Sequence, residues 1–171
     1  MAEESGPAGL SHLDAEGRAR MVDEGDKAVP RRACVARAAV RMAPATLAEI
    51  PEGRTPKGHE LALARIAGVQ AAKRTAEWIP LAHPLPLDAV VVELRPDPAS
   101  SCVHVEVRVR AQARTGVEME ALVAAAAAGL TIYDMCKAID RGMVLEAVRL
   151  VRKSGGKTGN WLRPGEEPAP A

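Results

Sequence analysis

Apolar and polar residues alternate without a break over residues 102–114: Val103, Val105, Val107, Val109 and Ala111 fall on one side, His104, Glu106, Arg108 and Arg110 on the other. A period of two is that of a strand, and one wet face marks an antiparallel sheet. Residues 33–42 alternate in the same way, with Ala36, Ala38, Val40 and Met42 against Arg37 and Arg41, and residues 89–95 and 143–152 also read as strands. The rhythm changes over 58–79, where Ala, Leu and Ile are interspersed with Arg65, Lys73 and Arg74 until Pro80 stops the pattern, so one helix is expected there. A second long helix is expected from Val117 to about Ile139, and its run of alanines at 124–128 implies burial against the sheet or another helix. Residues 44–50 read as a short helical turn. Residues 80–86 hold three prolines in seven and form a stiffened loop, and residues 153–159 form a glycine-rich one.

Strand, helix, strand, strand, helix, strand is the order of a ferredoxin-like α+β sandwich: an antiparallel sheet, two long helices and, here, an extra N-terminal strand expected around residues 18–22. The organisation expected is a disordered segment at 1–9, one domain over 10–161 and a flexible Pro/Glu-rich tail at 162–171. A length of 171 residues suits one core. No run approaches the ~20 apolar residues of a membrane span, and residues 1–10 do not have the character of a signal peptide, so no membrane partner is expected.

The formal net charge is +1, which argues against a strongly basic nucleic-acid binder in bulk but leaves room for a local basic pocket. Arginine supplies 17 of the 23 basic residues, and the six lysines are Lys27, Lys57, Lys73, Lys137, Lys153 and Lys157. The aromatics are Trp78, Tyr133 and Trp161, so small side chains must fill the core, and further burial between subunits would help. Cys34, Cys102 and Cys136 are odd in number and far apart, without a CxxC pair or zinc-finger spacing. Reduced thiols, a cytoplasmic location and no structural metal are expected.

The Gly156-Lys157-Thr158 string suggests a Walker A loop, but that motif needs glycine where Val151 stands, and too few residues follow to make its helix. What survives is a loop whose backbone N–H groups can approach an anion beside two lysines; taken by itself it is more often a surface hairpin. Asp134 and Lys137 lie at i and i+3 on one helix face. Such a pair is ordinarily an exposed ion pair, but Leu130, Ile132, Tyr133, Met135 and Cys136 around it imply partial burial, a setting suited to proton transfer. Glu118 and Glu120 open the same helix, where acids favour the dipole. Glu120 and Asp134 stand fourteen residues apart, about 21 Å along a helix, so a pocket using both needs two subunits. His83 sits in the proline-locked loop, where a histidine is most often merely exposed. GxSxG, HExxH and GxGxxG are absent, so serine hydrolase, zincin and dinucleotide-binding readings have no support.

Taken together, several strings resemble the cyclic pyranopterin monophosphate synthase (MoaC) family of molybdenum cofactor biosynthesis: Met21-Val22-Asp23, Lys57-Gly58, the IAGVQAAKRT string at 66–75, Ile79-Pro80-Leu81-Ala82-His83-Pro84-Leu85, Thr115-Gly116-Val117-Glu118-Met119-Glu120, the LTIYDMCKA string at 130–138 and Lys153-Ser154-Gly155-Gly156-Lys157. All six lysines fall where the family pattern has lysine. The resemblance implies a ferredoxin-like subunit in a hexamer, a trimer of dimers, with sites at subunit interfaces. It implies a substrate, 3′,8-cyclo-7,8-dihydroguanosine 5′-triphosphate, and products, cyclic pyranopterin monophosphate and diphosphate.

Carried over by position, Asp134 and Lys137 match the catalytic acid/base pair. Leu81, Ala82 and His83 match one substrate-binding segment, and Met119 and Glu120, beside Glu118, another. Lys57, Arg32, Lys153 and Lys157 match basic positions facing the substrate. Ala82 stands where relatives often have cysteine, and Pro30 where threonine is usual. No cofactor is required on this reading, no protein-held metal is expected, and Mg²⁺ would accompany substrate phosphates. Two rival classes are a regulatory module that binds an effector without turnover, and an RNA-binding domain of similar element order. The latter stacks bases on strand aromatics, which residues 33–42 and 102–114 lack.

Overall fold

The strictly alternating run becomes β3 (Cys102–Gln112), which pairs antiparallel with β2 (Ala89–Asp97) on one side and β1 (Arg31–Arg41) on the other. Register assigns the faces. Cys34, Ala36, Ala38 and Val40 stand opposite Val109, Val107, Val105 and Val103, all buried, while Arg37 stands opposite Glu106 on the other face. The computed structural model describes residues 16–21, 29–50, 56, 57, 59–156 and 159–167. Beyond β1 lie β4 (Val144–Ser154) and the two-residue β5 (Trp161–Leu162), giving a five-stranded antiparallel sheet in the order β2-β3-β1-β4-β5. The fold is α+β. Between β1 and β2 run α1 (Pro44–Glu49), α2 (Glu60–Lys73) and α3 (Thr75–Trp78); between β3 and β4 runs α4 (Glu118–Cys136).

Small side chains let α4 lie close to its neighbours: Ala121, Ala124, Ala125 and Ala128 are fully buried. At Gly68 on α2, an added Cβ would stand 3.0 Å from Val92 Cγ2 and 3.2 Å from the Ala124 carbonyl oxygen, so this crossing of α2 and α4 suits glycine. A core without large rings is closed in this way, by close approach. By length and composition alone α4 could cross a membrane, but 61% of its apolar window is buried inside the domain, which is the condition of a core helix.

Several expectations are corrected. The single helix expected over 58–79 is two: Arg74 leaves helical geometry at φ −116° and ψ 19°, and the Thr75 hydroxyl turns back to the Ala71 and Ala72 carbonyls at 3.3 and 3.0 Å. The second helix stops at Cys136 instead of Ile139; Asp140 then accepts from the Ala43 and Gly142 N–H groups, both at 2.9 Å, and pins the exit of α4 to the entry of α1.

The extra strand lies at the other end of the domain. Of residues 18–22, Ala19 makes an isolated bridge and Val22 lies outside the described residues, whereas β5 adds an edge at the C-terminus. The tail expected from 162 onward is tied down through this part: Leu162 belongs to β5, and the Glu166 carboxylate is paired with both Arg37 and Arg149. Charge pairing holds a segment whose proline and glycine content reads as unstructured. The segment expected at 1–9 lies outside the described residues.

Opposite the helices, the sheet carries a charged face. Arg37 pairs with Glu106 and Glu166, Arg108 with Glu106 and Glu93, and Arg149 with Glu166, around a cavity of about 440 Å³.

Candidate active site

Two clusters of the expected residues form, at opposite ends of α4. The first is at its C-terminal end. Asp134, on the last turn, accepts a hydrogen bond from Lys57 Nζ at its Oδ2, 2.7 Å away, and its Oδ1 lies 2.7 Å from Lys137 Nζ. Lys57 also donates to the Asp134 carbonyl at 3.1 Å. Two ammonium groups on one carboxylate favour its charged form. Hydrogen bonds from Lys137 and then Lys57 hold Asp134 down at about 2, and Asp134 in turn pushes Lys137 above the ordinary lysine range.

The partial burial expected for this pair is not found within one chain. Both side chains are 53% exposed, because the apolar neighbours Ile132, Met135 and Cys136 point into the core from the other side of the helix. Lysine is therefore stabilised as a cation here, by charge pairing. Lys57, matched to a basic position facing the substrate, pairs within the chain with Asp134.

From Asp134 a groove of about 440 Å³ runs between α2, α3 and α4, lined by Gln70, Arg74, Trp78, Leu130 and Thr131 among others. Gln70, Arg74, Trp78 and Thr131 were not singled out as site residues from sequence. Part of their signal was available in the spacing of Gln70 and Arg74 at i and i+4, which sets a polar amide and a cation on one side of the end of α2.

The second cluster gathers at the N-terminal end of α4. Lys153, near the end of β4, donates to Glu118 Oε1 at 2.8 Å, with both side chains largely buried. Glu120 is 3% exposed, and burial, reinforced by the charge of Glu118, pushes its carboxyl up to about 7. Arg32 donates to the Ala113 and Arg114 carbonyls at 3.2 and 2.7 Å, bracing the exit of β3. The chain leaving β4 passes directly over it: a Cβ on Gly156 would fall 1.6 Å from Arg32 Nη1.

His83 lines an adjoining cavity of about 360 Å³ with Val29, Gln112, Arg114 and Thr115. Gln112, Arg114 and Thr115 were not singled out from sequence, although Thr115 opens the string that holds Glu118. Leu81 and Ala82 are half-buried, and Met119 packs with Ile79 on Ala71, Val123 and Ala127, which brings the proline-rich loop to this end of α4. Lys157 lies outside the described residues.

Cysteine contributes no nucleophile at either end. Cys34, Cys102 and Cys136 are free and buried, and desolvation raises Cys34 to about 12 and Cys136 to about 11. Ser100, His104 and Asp97 meet at the β2–β3 turn, but both contacts to the ring fall on Nε2, at 3.1 and 3.3 Å, so this is a turn network without the relay of a serine nucleophile. Among the described residues no three His, Cys, Asp or Glu side chains gather as metal ligands.

One helix thus carries an acid–lysine pair near each end, one half-buried and one open. The sequence model of the MoaC family matches residues 21–156. The chain belongs to the MoaC family. Relatives named cyclic pyranopterin monophosphate synthase include that of Chloroflexus aurantiacus, 58% identical over 155 residues that make up 91% of this chain and 95% of the relative. The protein of that name from Pelotomaculum thermopropionicum is 57% identical over 160 residues, covering 94% of each chain. That of Thermomicrobium roseum is 52% identical over 160 residues, 94% of this chain and 96% of its own. Within this MoaC-family chain both clusters lie inside the matched span, except that the span ends at Gly156 and leaves β5 and the Glu166 pairs beyond it.

Proposed function

We propose that this chain is a lyase of molybdenum cofactor biosynthesis that converts 3′,8-cyclo-7,8-dihydroguanosine 5′-triphosphate into cyclic pyranopterin monophosphate and diphosphate. The observation that carries the reading is the Lys57–Asp134–Lys137 cluster, a carboxylate with an ammonium on each oxygen at 2.7 Å, open to a groove. Asp134 and Lys137 exchange protons with the ring system as it is reorganised. A substrate hydroxyl attacks the α-phosphorus, the bond from that phosphorus to the bridging oxygen breaks, and diphosphate leaves with the electron pair. Negative charge grows on the departing group, and Arg32, Lys153 and Lys157 stabilise it. Lys57 borders both tasks, shaping Asp134 and facing substrate. Glu118, Glu120, Met119, Leu81, Ala82 and His83 orient the base and sugar.

Glu120 and Asp134 lie on one helix about 21 Å apart, too far to flank one reacting centre, so the Asp134 end of one subunit works with the Glu120 end of another. Leu63, Ile66, Trp78 and Leu130 on the outer sides of α2, α3 and α4 are exposed large apolar residues, a surface suited to a second copy. A hexamer built as a trimer of dimers accords with this surface, and a cytoplasmic location is part of the same proposal. The sheet order β2-β3-β1-β4 with two helical crossovers supports a ferredoxin-like subunit with β5 appended. No cofactor enters these steps; Mg²⁺ would ride on the substrate phosphates.

Incubation with the cyclised triphosphate, followed by assays for diphosphate and for a fluorescent oxidised pterin, tests the reading. Both products are expected from the wild-type chain and neither from Lys137→Ala, whose assembly stays intact. Binding of the triphosphate without diphosphate release would favour a regulatory module instead.

A further inference from the structure

Glu166 lies beyond the family span and on the face of the sheet away from the helices, yet its contacts lead back to Lys153. The chain leaves β4 through Gly155 and Gly156, passes over Arg32 and returns as β5, where Trp161 pairs with Lys153 and Leu162 with Arg152. Two residue pairs make a marginal strand. Side chains that follow it supply the hold. The Arg163 N–H donates to the Val151 carbonyl at 2.8 Å, its Nε donates to the Leu150 carbonyl at 2.6 Å, and its guanidinium lies 5.6 Å from the Trp161 ring centroid. Glu166 then closes the arrangement: Oε2 accepts from Arg37 on β1 at 2.7 Å and Oε1 from Arg149 on β4 at 2.5 Å. Its side chain is only 13% exposed, so solvent screens these pairs less than it does the open pair of Arg41 with Glu146.

We infer that Glu166 is a positioning residue for the triphosphate: with Arg37 and Arg149 it clasps the C-terminal segment to the sheet, and so holds β5 against Lys153 and the Gly155–Gly156 turn against Arg32. This rests on the reading above that Lys153 and Arg32 face substrate phosphates. The clasp touches no substrate. It acts from the opposite face of the sheet, through the backbone pairing of Trp161 with Lys153.

The test uses the full chain with Glu166→Gln, Lys153→Ala, the double variant, and Arg41→Gln as a control on the same strands. KM and kcat for the cyclised triphosphate and competitive inhibition by inorganic triphosphate are measured, with a thermal melt of each variant. Glu166→Gln is expected to raise KM and the inhibition constant together by about tenfold, a loss comparable to one pairwise coupling, with kcat within about twofold. In the Lys153→Ala background the same change is expected to add clearly less than it does alone, because only the part that runs through Arg32 remains. Arg41→Gln leaves all three constants unchanged.

An unchanged KM in a folded Glu166→Gln protein, a fall in kcat with KM unchanged, or full additivity with Lys153→Ala would each overturn the inference. If Lys153→Ala itself leaves KM and triphosphate inhibition unchanged, the phosphate assignment underneath fails, a result distinct from failure of the clasp.

Discussion

Lys57 Nζ donates to Asp134 Oδ2 at 2.7 Å, joining a loop residue to the last turn of α4 across 77 positions of sequence. With Lys137 on the other oxygen, Asp134 titrates at about 2 instead of 3.8, so its carboxylate is ionised throughout the neutral range. The folded value lies below the ordinary one, so the pairing stabilises the fold above about pH 4 and that contribution is lost as pH falls towards 2. The acid limb of the free enzyme's pH–rate profile is therefore expected to come from another group. Lys57→Ala and Lys137→Ala should each lower kcat/KM by at least about a hundredfold, the scale of a lost proton-transfer partner. Each should also move the Asp134 carboxyl upward in an NMR titration. An Asp134 titration unchanged in Lys57→Ala would show that the contact does not persist in solution.

Glu120 is displaced in the opposite direction. Burial raises it from 4.5 to about 7, aided by the Glu118 charge, while its own backbone N–H pulls the other way. Because the folded value is the higher one, its contribution to stability is full below about pH 4.5 and is lost as pH rises through about 7. Glu120→Gln is neutral at every pH, so its advantage over wild type in a denaturant melt should grow across that window and then level. A stability difference that is flat from pH 4.5 to 7.5 would contradict the assignment. Opposed shifts at the two ends of α4, one acid held charged and one held near neutrality, also separate the chemical roles proposed for them.

Much of this was readable in the chain, for definite reasons. Asp134 and Lys137 are three residues apart on a helix, so their pairing follows from helical geometry. The faces of β1 and β3 follow from alternation. By contrast, Lys57 reaches Asp134 and Lys153 reaches Glu118 only through the packing of separate elements, which no local spacing encodes. The break at Arg74 was hidden because every residue around it is compatible with a helix, and the Thr75 hydroxyl beside it bonds only backbone carbonyls of the preceding turn. Glu166 was misread for a related reason. Its pairing partners stand 129 and 17 residues away, and the prolines around it carry the usual signature of a free tail. Exposure of the Asp134 pair was misjudged because neighbours in sequence were counted as neighbours in space, although on a helix they face away.

Glu60 opens α2 with a side chain that is 1% exposed, and its Oε1 has no hydrogen-bond partner among the described residues. Two effects compete. An acid in the first helical turn gains roughly 0.3–1 kcal/mol from the dipole. A buried acceptor without a partner costs roughly 1–3 kcal/mol. The second is larger, so Glu60→Leu, of similar size, should raise unfolding free energy by about 1 kcal/mol in urea melts with an unchanged m-value. A loss of stability in that variant would mean that the oxygen is satisfied in solution.

The turn over Arg32 offers a test of how closely backbone must approach the proposed phosphate cations. Gly155 and Gly159 both have positive φ, at 90° and 62°, so alanine is strained at either. They differ in surroundings. A Cβ on Gly155 would lie 2.2 Å from the Arg31 carbonyl oxygen, whereas one on Gly159 meets nothing within 4 Å. A backbone carbonyl of a central strand cannot swing aside as a side chain does, so in Gly155→Ala the turn itself must lift away from Arg32. Gly159→Ala is expected to cost about 1 kcal/mol of backbone strain and to leave affinity for inorganic triphosphate intact. Gly155→Ala is expected to cost about 1–3 kcal/mol more, as an overpacked position does, and to weaken that affinity about tenfold as Arg32 and Lys153 lose their shared support. Urea melts and triphosphate titrations of the two variants side by side measure both quantities, and equal affinities would show that the turn's approach to Arg32 has no part in holding phosphate.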